Sequence, residues 1–530
     1  MMKYPVILLF LFSTFTIFAQ QKQNSDVQLP DFVITGKDIV TIKKAQKIPP
    51  NFVSTISNQF IKPVLPSEIL PVKNLKTPIK GASTIIDSLN YMNGDFSVGA
   101  GFYSLPSVNL NFNAPFSSGL FELFGSGINN LAYVTNSERY DINGGANLLL
   151  SVSDNSSFLP GAQVKFHGNF GTSSYKFFGS DIPDYRRDFN EGNAYVLVDN
   201  LMSRTFIFSA KANDDIILLR NENYSENMFN LIGFAKLSLS SFNIGTDLTY
   251  KKQILKNDIS NNNNYNFIAL KPTIGLSFSK LTDVSLGFNY EHSGSENFFS
   301  PYASLALKVS NSITIYGEFN PSAEFLGGVY FLKQNPYFMP QKFTNIFLKK
   351  DNSFNASVKY QYFTYFEIDG GFKYYSSNNL PYFIDTSAVG MFNLATTSGE
   401  SSSVYINVLF HPGPSGVFYG TGELIDTRDT KNYIIPYYPK VKLSLNYSYN
   451  FNFGLEAGAT VIYYSGIHTD LMKQNLLNPF INLGLNFSYK IHNNFYLTLK
   501  VSNLINNRNY LWDGYKEMPV NMLGGINFRW

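Results

Sequence analysis

The sequence predicts an all-β chain: a transmembrane antiparallel β-barrel of about 22 strands, preceded by a short irregular Pro- and Lys-rich segment. Three observations predict it. The chain ends on an apolar-alternating strand closed by an aromatic residue, its composition joins many aromatics to few charges, and a two-residue period runs through most of its 530 residues.

The closing strand is the clearest element. In the run from Asn521 to Trp530, residues Met522, Gly524, Ile526, Phe528 and Trp530 share one face, and Asn527 and Arg529 share the other. Barrels of the bacterial outer membrane alternate apolar outward with polar inward and carry aromatic girdles at the headgroups. Ile526, Phe528 and Trp530 are therefore assigned to the barrel-closing strand.

Composition agrees. Aromatic residues make up 16% of the chain, with 49 Phe and 35 Tyr against 2 Trp, while charged residues make up 15%. Soluble domains carry about 25% charged residues. There is no Cys, which excludes disulfides, thiolate metal sites and a cysteine nucleophile. A net charge of +3 is too small to imply nucleic acid.

Three regions follow in order. Residues 1–19 read as a signal peptide: Lys3 supplies the positive charge, Val6 to Phe12 with Phe15 to Phe18 the apolar core, and Ala19-Gln20 the cleavage site. That apolar run is too short to span a bilayer as a helix. Residues 20–90 show no sustained alternation. They hold Pro49, Pro50, Pro63, Pro66, Pro71 and Pro78, and Lys43 to Lys80 carries many Lys against the single acidic Glu68. Such a segment reads as an extended periplasmic tether or as a docking segment for a periplasmic or inner-membrane partner.

Residues 91–530 form the barrel. Val441, Leu443, Leu445, Tyr447 and Tyr449 face one way, and Lys442, Ser444, Asn446 and Ser448 the other. Ile481 to Tyr489 repeats the pattern against Asn482, Asn486, Ser488 and Lys490; Phe495 to Val501 repeats it against Tyr496, Thr498, Lys500 and Ser502. Alternation of this length matches a tilted membrane-crossing strand. With Trp530 at the periplasmic rim, the turns at Asn450 and His492 are periplasmic. The loops Gly466 to Pro479 and Leu504 to Pro519 are then external, the expected asymmetry of such barrels. Lys442, Asn446, Asn486, Lys490, Lys500 and Arg529 are the candidate lumen-facing residues. Their mild positive bias suits neutral or anionic solutes.

The segment Leu499-Lys-Val-Ser-Asn-Leu-Ile-Asn-Asn-Arg-Asn-Tyr510, followed by Trp512-Asp-Gly-Tyr515 and the closing strand, resembles the C-terminal end of TonB-dependent receptors. Tyr91 to Tyr103 is similar to first barrel strands in receptor-like proteins of the Bacteroidetes type. Asp31, Phe32, Val33, Ile34, Thr35 and Gly36 resemble the segment at or near the TonB box. The resemblance implies an outer-membrane transport or channel component of a Gram-negative envelope. It implies outer-membrane lipid around the wall, the barrel-assembly machinery for insertion, and TonB or other envelope proteins engaged through residues 20–90. The family's folded plug, however, has only residues 37–90 in which to fit, and their composition does not suit it. The plug is expected to be missing, so long loops, residues 20–90 or another protein must close the lumen. The alternative function is a structural or assembly partner within an outer-membrane complex.

No catalysis, metal or cofactor is expected. The five His are dispersed, and His411-Pro-Gly-Pro-Ser-Gly416 reads as a turn rather than a nucleophile elbow. Asp181, Tyr185, Arg186 and Arg187 form a candidate ligand loop, with solvated ion pairs as the blander reading. Glu423 to Lys431 is a second charged segment expected as a loop. Asn335-Pro-Tyr-Phe-Met-Pro340 is a third candidate, an aromatic loop where an exposed apolar cluster would mark a protein contact.

Overall fold

The computed structural model describes residues 93–530 except 154, 155, 157, 158, 201–204, 240, 280, 363, 364, 386–388, 412–415, 473 and 474. The expected leader at 1–19 and the segment 20–90, with Asp31 to Gly36, lie outside the described residues.

Period-two patterning puts every second side chain on the same face of a strand. Here it yields 22 antiparallel strands in one closed sheet, as the spacing of the runs predicts. The first strand, Gly94–Gly101, pairs with the last, Asn521–Arg529, setting Phe96 opposite Phe528 and Val98 opposite Ile526. Trp530 completes the seam: its N–H donates to the Gly94 carbonyl and the Gly94 N–H donates to its own, both at 3.0 Å. A Cβ at Gly94 would stand 2.6 Å from the Trp530 ring and 2.6 Å from the Asn111 carbonyl oxygen, so only Gly lets the last ring lie across the seam.

The outer face is a continuous apolar surface. Val98, Leu123, Ile142, Ile274, Leu286, Val404, Leu424 and Ile526 are exposed around the ring. In water so large a band is unfavourable; in hydrocarbon it is the stable arrangement. At the Trp530 end, Phe116, Phe206, Phe278, Tyr362, Phe410, Phe453 and Phe495 lie exposed beside the turns and form an aromatic girdle. The chain is an outer-membrane barrel. Among the described residues no helix is long and apolar enough to cross a membrane; the strands do the crossing.

Connections sort by end, with few exceptions. Residues 117–118, 309–312, 451–454 and 493–494 are tight turns on the Trp530 side. Residues 177–185, 320–351, 430–440 and 503–520 are long and lie at the opposite, external end. Glu423 does not belong to a loop: it sits within the strand Val417–Asp429, whose alternation continues through the charged run.

The longest connection, 320–351, has structure of its own. The strands Ser322–Gly327 and Asn345–Lys350 pair with Phe325 opposite Phe347. Between them lie a seven-residue helix, Gly328–Gln334, and a short 3-10 turn, Pro340–Lys342. This insertion folds against the polar, inward face of the wall.

Candidate functional site

A buried loop leaves its backbone N–H and C=O groups away from water, so they need partners. The wall supplies them. Lys251 Nζ donates to the Phe325 carbonyl at 3.1 Å, and Gln253 Nε2 to the Thr344 carbonyl at 2.9 Å. Asn289 Nδ2 and Ser300 Oγ each donate to the Pro321 carbonyl at 2.6 Å. Asn379 Nδ2 donates to the Phe347 carbonyl at 2.6 Å. In the reverse sense, the Val329 N–H donates to the Glu226 carboxylate at 2.8 Å, which also accepts from Gln253 at 2.8 Å and from the Tyr224 hydroxyl. These polar residues occupy alternate positions on strands whose other face meets lipid, which ties the insertion to the inner wall.

The middle of the insertion joins other loops in one hydrophobic core across the external mouth. Tyr175, Phe177, Leu219, Phe331, Phe338, Phe392 and Tyr515 are buried together, although they come from strand ends and connections spread around the ring. Tyr337 stacks on Tyr515 with centroids 3.4 Å apart. Trp512 meets Phe383, Phe392 and Tyr437 within 5.3 Å. The Phe392 N–H donates to the Tyr337 carbonyl at 3.2 Å, and the Met339 N–H to the Phe392 carbonyl at 2.7 Å. Three loops also touch backbone to backbone at Gly179, Gly390 and Gly514. A Cβ on Gly179 would lie 2.5 Å from the Gly514 carbonyl carbon, and Gly390 and Gly514 both hold positive φ, at 78° and 80°.

One ion pair pins this cap. Arg187 is fully buried; its Nε and Nη2 donate to the Glu222 carboxylate at 2.5 and 2.8 Å. Its Nη1 donates to the carbonyls of Pro336 and Phe338 at 2.6 and 2.8 Å, and its guanidinium lies 4.8 Å from the Phe177 ring centre. Gln341 Nε2 also donates to Glu222. Every donor direction of the fork has a partner, the condition under which a buried Arg is tolerated.

Towards the Trp530 end the lumen wall is polar. Asp95 accepts from Asn111 at 2.8 Å and from Asn527 at 3.0 Å. Arg529 donates to Asn527 at 2.9 Å and lies 4.0 Å over the Tyr496 ring. A second cluster gathers His167, which stacks on Tyr195 at 4.8 Å, bonds Asn147 at 2.6 Å, and neighbours Phe124 at 6.1 Å. Lys211 lies 4.2 Å over the Tyr195 ring. Among the described residues no group of three or more His, Cys, Asp or Glu is placed to hold a metal.

A closed 22-strand barrel has counterparts among solved structures. The siderophore receptor PiuA from Acinetobacter baumannii matches with a TM-score of 0.61 over 82% of this chain and 81% of that one, at 12% identity. The ferric-catecholate import receptor Fiu from E. coli K12 matches with a TM-score of 0.59 over 83% and 82%, at 11% identity. The copper transporter OprC matches with a TM-score of 0.58 over 83% and 80%, at 10% identity. This chain shares the fold of these two receptors and this transporter. No protein-family model matches the chain, and no curated protein does.

Within this receptor fold the sequence-predicted residues divide. Lys442, Asn446, Asn486, Lys490, Lys500 and Arg529 lie on the inward face, the one that carries Tyr496 and Asn527. Asn446 accepts from Thr460 at 2.9 Å. Of the candidate ligand loop, Arg186 is exposed beside Asp188 at 3.0 Å. Asp181 exchanges bonds with Val389 at 3.0 and 3.1 Å, and Tyr185 packs on Phe177 at 5.1 Å. Arg187 differs from its expected place: it is internal and holds the cap together. The aromatic segment Asn335 to Pro340 is also internal, with Asn335, Phe338 and Pro340 buried, because it is the centre of the cap. Ser415 of the His411 segment lies outside the described residues.

Sequence reading missed the His167–Tyr195 cluster and the Glu226 network, because both depend on which strands pair. The available signal was polar residues recurring on one face of each strand: Glu226, Asn230 and Lys236 in Tyr224–Leu239, and Asn243, Asp247, Thr249, Lys251 and Gln253 in Phe242–Lys256.

Proposed function

We propose that the chain is an outer-membrane transport component for small polar solutes, gated at its external mouth by its own loops rather than by a folded plug. The observation that carries this reading is the cap: residues 320–351 and Trp512 to Tyr515 meet over a polar lumen. A barrel of about 22 strands encloses a lumen wide enough to need closing. The likeness in fold to siderophore receptors and a copper transporter supports a transport role, while the cargo is a separate matter. Residues 37–90 are short, Pro-rich and Lys-rich, which suits a tether for TonB or another envelope protein better than a plug. Insertion by the barrel-assembly machinery belongs to the same reading.

Planar-bilayer conductance tests it. The mature chain is expected to be shut or to flicker, and to stay largely so when residues 20–90 are removed. Replacing residues 322–350 by a short Gly/Ser linker is expected to open a stable conductance. A barrel that stays shut with both segments removed overturns the reading.

A further inference from the structure

We propose that the inner wall under the cap carries a binding site for a small zwitterion bearing an ammonium and a carboxylate, such as an amino acid or dipeptide. It rests on the transport reading and adds the class of solute.

The site is a cavity of about 290 Å³ on the strands Phe366–Asp385, Phe392–Phe410, Val417–Asp429, Val441–Asn450 and Leu455–Tyr464. That volume is at the lower end of the ~300–1,000 Å³ range of small-molecule sites. Strand register builds it in two rows. In one, Tyr405 stands opposite Glu423, Glu423 opposite Lys442, and Lys442 opposite Tyr464. In the other, Asp369 stands opposite Asn407, and Asn407 opposite Thr421. Lys373 lies on the same face as Asp369 and sits 4.3 Å over the Tyr405 ring.

Three features mark a built site. Opposite charges facing each other across a sheet ordinarily pair, yet among the described residues Glu423 and Lys442 make no ion pair or hydrogen bond with each other or with any other group. Asp369 is 1% exposed and binds Asn407 through one carboxylate oxygen, while its Oδ1 has no partner. Such a buried acceptor is unfavourable unless something answers it. Gly371 opposite Tyr405 clears space for the ring: a Cβ there would lie 2.8 Å from the Tyr405 hydroxyl.

Together these present two carboxylates and two ammonium groups around one small cavity, flanked by two Tyr rings. A ligand with only one charge leaves one sign unanswered; a zwitterion answers both. The site lies below the insertion, since Lys350 of the insertion sits 5.1 Å over the ring of Tyr375, two residues beyond Lys373 on the same face.

The probe is glycylglycine, titrated calorimetrically into the full mature chain and into the form with residues 322–350 replaced, both in detergent. Saturable binding to the cap-replaced form is expected, with N-acetylglycine and ethylamine at least about tenfold weaker, because each lacks one charge-assisted contact. Glu423→Gln and Lys442→Gln are each expected to weaken glycylglycine about tenfold, while Lys490→Gln, elsewhere in the lumen, leaves it unchanged. Folding of each variant is read from resistance of the barrel to SDS without heating. Absence of glycylglycine binding, or equal binding of N-acetylglycine, overturns the zwitterion site. A conducting cap-replaced barrel that binds none of the three leaves the transport reading standing and sinks only this one.

Discussion

Arg187 shows how much the cap depends on single residues. Removing one partner of a buried ion pair leaves the other charged and unanswered, at a cost of about 3–5 kcal/mol. Arg187→Ala is therefore expected to free Pro336 to Phe338 and to open the mouth. Limited proteolysis on intact cells should then cut within residues 335–343, where the parent chain resists. Arg187→Met with Glu222→Leu removes both charges and is expected to recover most of that protection. Glu517, in the external loop, is a second sensitive point. Burial raises its carboxyl above the ordinary value of 4.5, opposed in part by Arg139. The folded cap thus favours the neutral acid. Its contribution is complete below about pH 4.5 and is lost as pH rises through the folded value. Cap protection measured by hydrogen exchange at residues 510–517 should fall with rising pH across that window, and Glu517→Gln should flatten the dependence. Protection that rises with pH contradicts this assignment.

At the scale of elements, two features stand out: the seam and the insertion. The seam was legible in the sequence, because alternation from Asn521 to Trp530 is a local pattern that lipid on one face and water on the other enforce. Gly94→Val is expected to displace Trp530 and impair closure, seen as loss of the heat-modifiable folded form on gels. The insertion was not legible. Its aromatic segment reads as exposed because nothing local reveals that Arg187, Tyr515 and Phe392 converge on it from distant strand ends and loops. The Leu499 to Tyr515 motif lies between. Its Asn residues now have a physical role: Asn503, at φ 49°, donates to the Asn507 and Met518 carbonyls, and Asn509 bonds both backbone groups of Ile481. They fold the loop that delivers Trp512 and Tyr515 to the cap. The spelling of that motif was visible, but its destination depended on tertiary contacts.

At the scale of the whole molecule, strand count, wall polarity and loop asymmetry follow from a two-residue period, and the sequence carried all three. The lumen clusters, from His167 with Tyr195 to Asp369 with Asn407, follow from shear and register, which single-strand patterns do not encode. The central claim is that the chain's own external loops close the lumen. Because the sequence has no Cys, Asn446→Cys places a single thiol on the inner wall beneath the cap. Labelling intact cells with a maleimide on a large polyethylene glycol, too bulky to enter the periplasm, tests closure directly. Protection in the capped barrel and rapid labelling once residues 322–350 are replaced is the predicted result; equal labelling of both forms would contradict it.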